Sequence, residues 1–302
     1  MSGELTDGPP LASPPDRADF IAVNDTTLRT WEWGAVEAPP VLLVHGAFDH
    51  GRMFDSVGPF LARLGYRAIA IDQRGHGDSG RLNSGNNFAI NFLDLCCLTR
   101  MFDKPIGLLA HSMGASLCFS TCGAMPELIR WCVSLDSLGP PSIAFESPPI
   151  TEVATMAFDY GIKTFGRGAR VFPDRDAMAA QRGAINTRLP KPWLDHLVEH
   201  GSTEVEGGWT WKWDPAFNVG IPNGFREENI HAELARVTCP VLVLTGAEDD
   251  MWSEMGDDEI AFRIGLMADA RQRSIDGGGH YLHLEQPDAV FAEIAAFLAE
   301  VD

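Results

Sequence analysis

Gly107-Leu108-Leu109-Ala110-His111-Ser112-Met113-Gly114-Ala115-Ser116 runs from an unbroken apolar segment into a serine set among small residues, and then into a stretch of helical character. A serine held on a tight strand-to-helix turn needs small residues two positions before and two after it, because the backbone there passes too close to its neighbours for a larger side chain. Ala110 and Gly114 meet that need. Ser56 and Ser137 also have glycine at plus two, but Phe54 and Leu135 stand at minus two, so only Ser112 fits the whole pattern. The competing explanation is a serine that caps a helix N-terminus.

Outward from this turn, short apolar runs alternate with amphipathic stretches, the signature of βαβ units and a mostly parallel sheet. The chain is therefore expected to be an α/β protein with an eight-stranded sheet flanked by helices. Strands are expected near Phe20–Val23, Leu28–Trp33, Val41–Val44, Arg67–Ile71, Ile106–Ala110, Cys132–Leu135, Val241–Thr245 and Arg271–Ile275. Helices are expected at Met53–Leu64, Ala89–Met101, Met113–Ala124, Asp257–Met267 and Asp288–Glu300. The alternation breaks once, which divides the chain into a flexible Pro-rich arm (1–16), a core domain (17–139 and 230–302) and an inserted, mainly helical cap or lid (140–229).

Two more segments carry chemistry. Val241-Leu-Val-Leu-Thr-Gly246-Ala-Glu-Asp249 places a carboxylate in the loop after a strand, and Ile275-Asp-Gly-Gly-Gly-His280 places a histidine after a Gly-rich turn. Serine, acid and histidine in that chain order, each just beyond a strand, fit a nucleophile, an orienting acid and a base. With His45-Gly46-Ala47-Phe48, Asp72-Gln-Arg-Gly-His-Gly-Asp-Ser79 and Gly279-His280 followed by Glu285-Gln-Pro287, the chain resembles the α/β-hydrolase fold superfamily from about Phe20 to Leu298. Within it, the resemblance is to cap-bearing serine hydrolases of the esterase, lactonase or serine hydrolase-like type. It departs from the family pattern mildly, with Ala110 and Ala115 where glycines are often found.

That resemblance implies Ser112 as nucleophile, His280 as general base and Asp249 as the acid that orients it, with the N–H groups of Met113 and Ala47 forming an oxyanion hole. Phe48 is the alternative donor to Ala47. Asp136, at the end of Cys132-Val-Ser-Leu-Asp136, is the rival acid, ranked behind Asp249 because Gly246-x-x-Asp249 matches the usual motif; Glu248 and Asp250 are expected to point elsewhere. His283 is expected to be structural, since no cluster with metal-ligand spacing accompanies it. Asp72 and Arg74 are expected to serve as turn and salt-bridge residues. A serine at the elbow disfavours haloalkane dehalogenase and epoxide hydrolase activity, which on this fold use an aspartate there.

The chain's 23 Lys+Arg against 42 Asp+Glu give a net charge of −19, a field that repels phosphate backbones and anionic lipid, so nucleic acid and membrane are not expected partners. No apolar run reaches the ~18–20 residues needed to span a bilayer. The first twenty residues hold four acidic residues and four prolines and read as neither signal nor transit peptide, so a cytoplasmic location is expected. The six cysteines read as small buried hydrophobes. No nucleotide-binding motif is present, and neither cofactor nor metal is expected.

The inserted segment is rich in aromatics: Phe158, Tyr160, Phe165, Phe172, Trp193, Trp209, Trp211, Trp213 and Phe217. Alternation in Trp209-Thr-Trp-Lys-Trp213 would place the three indoles on one face of an extended segment. Trp209, Trp211, Trp213, Phe48 and His111 are the expected substrate-binding residues, and the expected partner is a small hydrophobic or aromatic ester or lactone. The alternatives are a carbon–carbon bond hydrolase of the meta-cleavage type, which uses the same three residues, and a non-catalytic ligand receptor on the same fold. Oligomeric state is not legible in the sequence.

Overall fold

The central strands of the sheet are continuous apolar runs because both faces are covered. Val41–Val44 of β3 (Pro40–Val44), Leu108–Ala110 of β5 (Ile106–His111), and Cys132 and Val133 of β6 (Ile129–Leu135) are all fully buried. The computed structural model describes residues 11–81, 88–141, 151, 152, 155, 159, 169–214, 227–250, 252 and 255–301. The remaining strands of the main sheet are β1 (Arg17–Val23), β2 (Thr26–Trp33), β4 (Arg67–Ile71), β9 (Val241–Gly246) and β10 (Ala270–Ile275), in the spatial order β1-β2-β4-β3-β5-β6-β9-β10. β1 and β2 are antiparallel to their neighbours, and the other six strands run parallel.

Successive side chains point to opposite faces, so the sheet divides the core in two. Leu43, Leu109, Val133 and Leu242 pack under the C-terminal helix Pro287–Val301 through Phe291, Ile294 and Phe297. Leu42, Leu108, Cys132 and Val241 meet Leu117, Cys118 and Phe119 of the helix Met113–Ala124. Burying each such Leu, Ile or Phe contributes about 1.5–3 kcal/mol. Register then aligns the strand ends: His111 pairs with Leu135, and Leu135 with Leu244. The loops after β5, β6 and β9 consequently open at one edge, where ligands bind in open α/β sheets.

Each of the eight expected strands is present, and the differences lie elsewhere. Ser13 to Asp16, expected within a flexible arm, are tied down: the Ser13 N–H donates to the Asp55 carbonyl (2.8 Å), and the Trp33 indole donates to the Ser13 and Pro14 carbonyls. The single helix expected at Met53–Leu64 is a 3₁₀ turn, Gly51–Phe54, followed by a helix at Val57–Arg63. Between β6 and β9 lie the helices Arg175–Ile185 and Lys191–Gly201 and, within the segment expected to be mainly helical, a hairpin of β7 (Ser202–Val205) and β8 (Gly208–Trp211). Phe158, Tyr160, Phe165 and Phe217 fall outside the described residues. The six cysteines are free, and five are buried. Among the described residues no helix is long and apolar enough to cross a membrane.

Six of the nine histidines are held neutral, chiefly by burial: His45, His50 and His111 well below the ordinary range, His76 at about 4, and His200 and His283 at about 3. The unfolded chain takes up these protons near pH 6.5 and the folded chain resists them. Each such histidine therefore contributes stability that is present above about pH 6.5 and is lost as pH falls toward its folded value. Asp72, raised to about 6 by burial, acts in the opposite sense. His283 isolates one contribution, because it is fully buried and neither of its ring nitrogens has a hydrogen-bond partner. The melting temperature of His283→Leu should fall less than that of wild type between pH 7 and pH 5; identical falls would contradict a buried neutral imidazole.

Candidate active site

Ser112 occupies the first position beyond β5 with φ 53° and ψ −125°, a left-handed conformation that costs a non-glycine residue about 1–3 kcal/mol. The surrounding structure enforces it. The Ser112 N–H donates to the Leu135 carbonyl (3.1 Å), and the Ser112 carbonyl accepts from the Ala115 N–H (2.9 Å). A methyl group on Gly114 would stand 2.2 Å from the Val44 carbonyl oxygen and 2.6 Å from that of His45, which is why a glycine is required two residues after the serine. The Ser112 hydroxyl makes no capping hydrogen bond to the helix it precedes, so the capping explanation fails. Across the turn, a methyl on Gly46 would come within 3.0 Å of Ser112 Cβ, which brings the His45–Phe48 loop against the serine.

His280 follows the turn Gly277–Gly279, and its Nδ1 lies 2.7 Å from Asp136 Oδ2. Asp136, with φ 54°, is the first residue beyond β6, and its other oxygen accepts the Gly246 N–H (3.0 Å). The carboxylate at the histidine is therefore Asp136 and not Asp249, which the sequence motif had favoured. The reason is local. Gly246 packs against backbone of the histidine loop, where a methyl would meet the Gly278 oxygen at 2.5 Å, and the Ala247 and Glu248 N–H groups donate to the Ile275 and Gly278 carbonyls. Those bonds spend the loop after β9 on holding the turn and leave Asp249 exposed. Asp250, expected to point elsewhere, accepts the His280 backbone N–H at 2.6 Å.

His111, expected to touch substrate, is fully buried on the core side of the turn. Its Nε2 bonds the His280 carbonyl (2.8 Å), and its ring lies against those of His280, Tyr281 and His283. Trp209 and Trp211 pack with Phe172, Met178 and Val198 in a core internal to the insertion, and Arg175 covers Trp209. Trp213 stacks on Trp211 (4.6 Å) and meets Phe48 edge-on (5.4 Å). Phe48 has φ 61°, and its N–H makes a long contact with His76 Nε2 (3.4 Å). Trp252, which carried no sequence signal, lies with its ring centroid 5.7 Å from that of His280 and donates to Asn186 from its indole.

Asp72 accepts from the Gly51 and Asp78 N–H groups and the Trp31 indole, and Arg74 pairs with Asp94 and Asp25, as expected of a structural loop. Sequence reading missed a buried group beside the serine: Asp49, Arg182 and Tyr281. Arg182 pairs with Asp49, and both bond the Tyr281 hydroxyl (2.9 and 3.1 Å). Burial raises the Asp49 carboxyl above its usual range, and the Arg182 charge opposes that rise. Among the described residues, Asp55, His196 and His200 have metal-ligand spacing. Arg52 already neutralises Asp55 at 2.6 Å and faces His200 Nδ1 at 3.4 Å, so an added cation would meet a positive charge in place.

A sequence profile described as the alpha/beta hydrolase family matches residues 41–294. The chain is 26% identical to a serine hydrolase-like protein of Dictyostelium discoideum, over 89% of this chain and 77% of that protein. It is also 26% identical to the 2-(acetamidomethylene)succinate hydrolase of Mesorhizobium japonicum, over 92% of this chain and 94% of that protein. Among solved structures, a thioesterase domain from the curacin biosynthetic pathway superposes with a TM-score of 0.79 at 22% identity, covering 92% of this chain and 98% of that one.

Proposed function

Because the chain belongs to the alpha/beta hydrolase family, we propose that it is a serine hydrolase cleaving a carboxylic ester or lactone that carries a hydrophobic or aromatic group. Ser112 Oγ attacks the carbonyl carbon while His280 takes its proton. With Nδ1–H donated to Asp136, the imidazole presents Nε2 as the base, and the carboxylate offsets the charge it acquires. The tetrahedral oxyanion is met by the Met113 N–H, the first of its helix and without an intrahelical acceptor. The second donor is the Ala47 N–H, since His76 engages that of Phe48. His280 then protonates the leaving alcohol, and the acyl-enzyme is hydrolysed by water through the same groups in reverse. No step requires a metal or an organic cofactor.

The observation that carries this reading is the strained, uncapped Ser112 at the sheet edge that also holds the His280–Asp136 pair. Substrate class rests on charge and shape. Among the described residues of the insertion, Arg182 faces the Asp49 carboxylate and Arg188 that of Glu285, while Phe48, Trp213 and Trp252 offer apolar surface. A neutral acyl compound fits that setting better than the dicarboxylic acid named for the Mesorhizobium relative. A panel of aryl esters, lactones and dienone acids tests it: turnover is expected on the esters or lactones. Turnover confined to dienone acids would instead make the protein a carbon–carbon bond hydrolase, and saturable binding without turnover would make it a receptor.

A further inference from the structure

Arg182 reaches from the helix Arg175–Ile185 of the insertion into the core, where it is 7% exposed. Its Nη1 donates to the Phe48 carbonyl (3.0 Å), and its Nη2 bonds both Asp49 and the Tyr281 hydroxyl. Phe48 and Asp49 close the loop that carries the Ala47 N–H, and Tyr281 directly follows His280. One guanidinium thus holds two loops that belong to different ends of the chain.

Phe48 shows why the hold matters. An aromatic residue at φ 61° is strained and keeps that conformation only under external constraint. Releasing its carbonyl lets φ relax and shifts the backbone that bears the Ala47 N–H. Releasing the Tyr281 hydroxyl loosens the turn beneath His280. We propose that Arg182 is a positioning residue that makes the oxyanion loop and the histidine turn conditional on a seated insertion. The inference rests on Ser112 being the nucleophile, and it adds a residue that neither touches substrate nor joins the proton transfer.

The test uses Arg182→Gln, Arg182→Lys and the double variant Asp49→Asn/Arg182→Gln, each with its active sites titrated by a fluorophosphonate. The readouts are kcat and KM on one aryl ester and affinity for a trifluoromethyl ketone that mimics the tetrahedral state. Arg182→Gln should lower kcat per titrated site about 10- to 100-fold, the scale of a misplacement near one ångström, and weaken the ketone by the same factor with KM little changed. Lysine keeps the charge but not the planar fork, so it should restore activity in part. The double variant leaves no unpaired buried charge and should be no slower than Arg182→Gln, because the pair acts as a unit. A folded double variant with wild-type turnover per titrated site would overturn the proposal. So would one that does not fold, since the pair would then be a folding element. Failure of the wild type to react with the fluorophosphonate would overturn the nucleophile assignment, and the coupling with it.

Discussion

Ser112→Ala is expected to melt like wild type and to lose at least about 10⁴-fold in turnover on any ester the protein accepts. The two halves of that result have separate causes. Alanine retains Cβ and so is as strained at φ 53° as serine, and the hydroxyl makes no capping bond whose loss would weaken the helix. Stability should therefore change by a few tenths of a kcal/mol at most. Turnover should fall because alanine has no oxygen with which to form the proposed acyl-enzyme, and what remains would rest on the oxyanion donors and substrate binding. Circular dichroism melts beside kcat separate the two effects. A variant that kept wild-type turnover would remove Ser112 from the chemistry.

Asp136→Asn is expected to cost close to 10⁴-fold in turnover, the scale seen when a triad aspartate becomes an amide. The asparagine oxygen can keep the Gly246 N–H, so the turn survives. Its amide nitrogen then faces His280 Nδ1 and donates to it, which favours the tautomer with the proton on Nε2, where the serine proton must go. Asp249→Asn, at an exposed position, should stay within about twofold of wild type, as expected for a surface substitution away from any special contact. Turnover of both variants on one ester, with melts alongside, decides between them. An inactive, folded Asp249→Asn beside an active Asp136→Asn would restore the acid to the loop after β9.

The sheet was legible in the sequence because its strands are apolar runs covered on both faces, and the elbow because close backbone approach dictates Ala110 and Gly114. Ser112 and His280 announce themselves through such local constraints. The acid does not. Asp136 and Asp249 each follow a strand, and the choice depends on which loop is consumed in packing; Gly246 against Gly278 decides it, a contact between segments distant in sequence. Arg182 and Asp49 are separated by 133 residues and neither lies in a motif that names a partner. The hairpin of the insertion was hinted at by alternating tryptophans, but their burial in the insertion's own core followed from Phe172, Met178 and Val198, which the alternation does not show.

The proposed mechanism stands or falls on Ser112 being an activated nucleophile. Reaction of the wild-type protein and of Ser112→Ala with a fluorophosphonate, followed by proteolysis and mass spectrometry, tests it most directly. One adduct per wild-type chain, on Ser112, and none on the variant is the expected result. An adduct on another residue, or equal labelling of the variant, would contradict it.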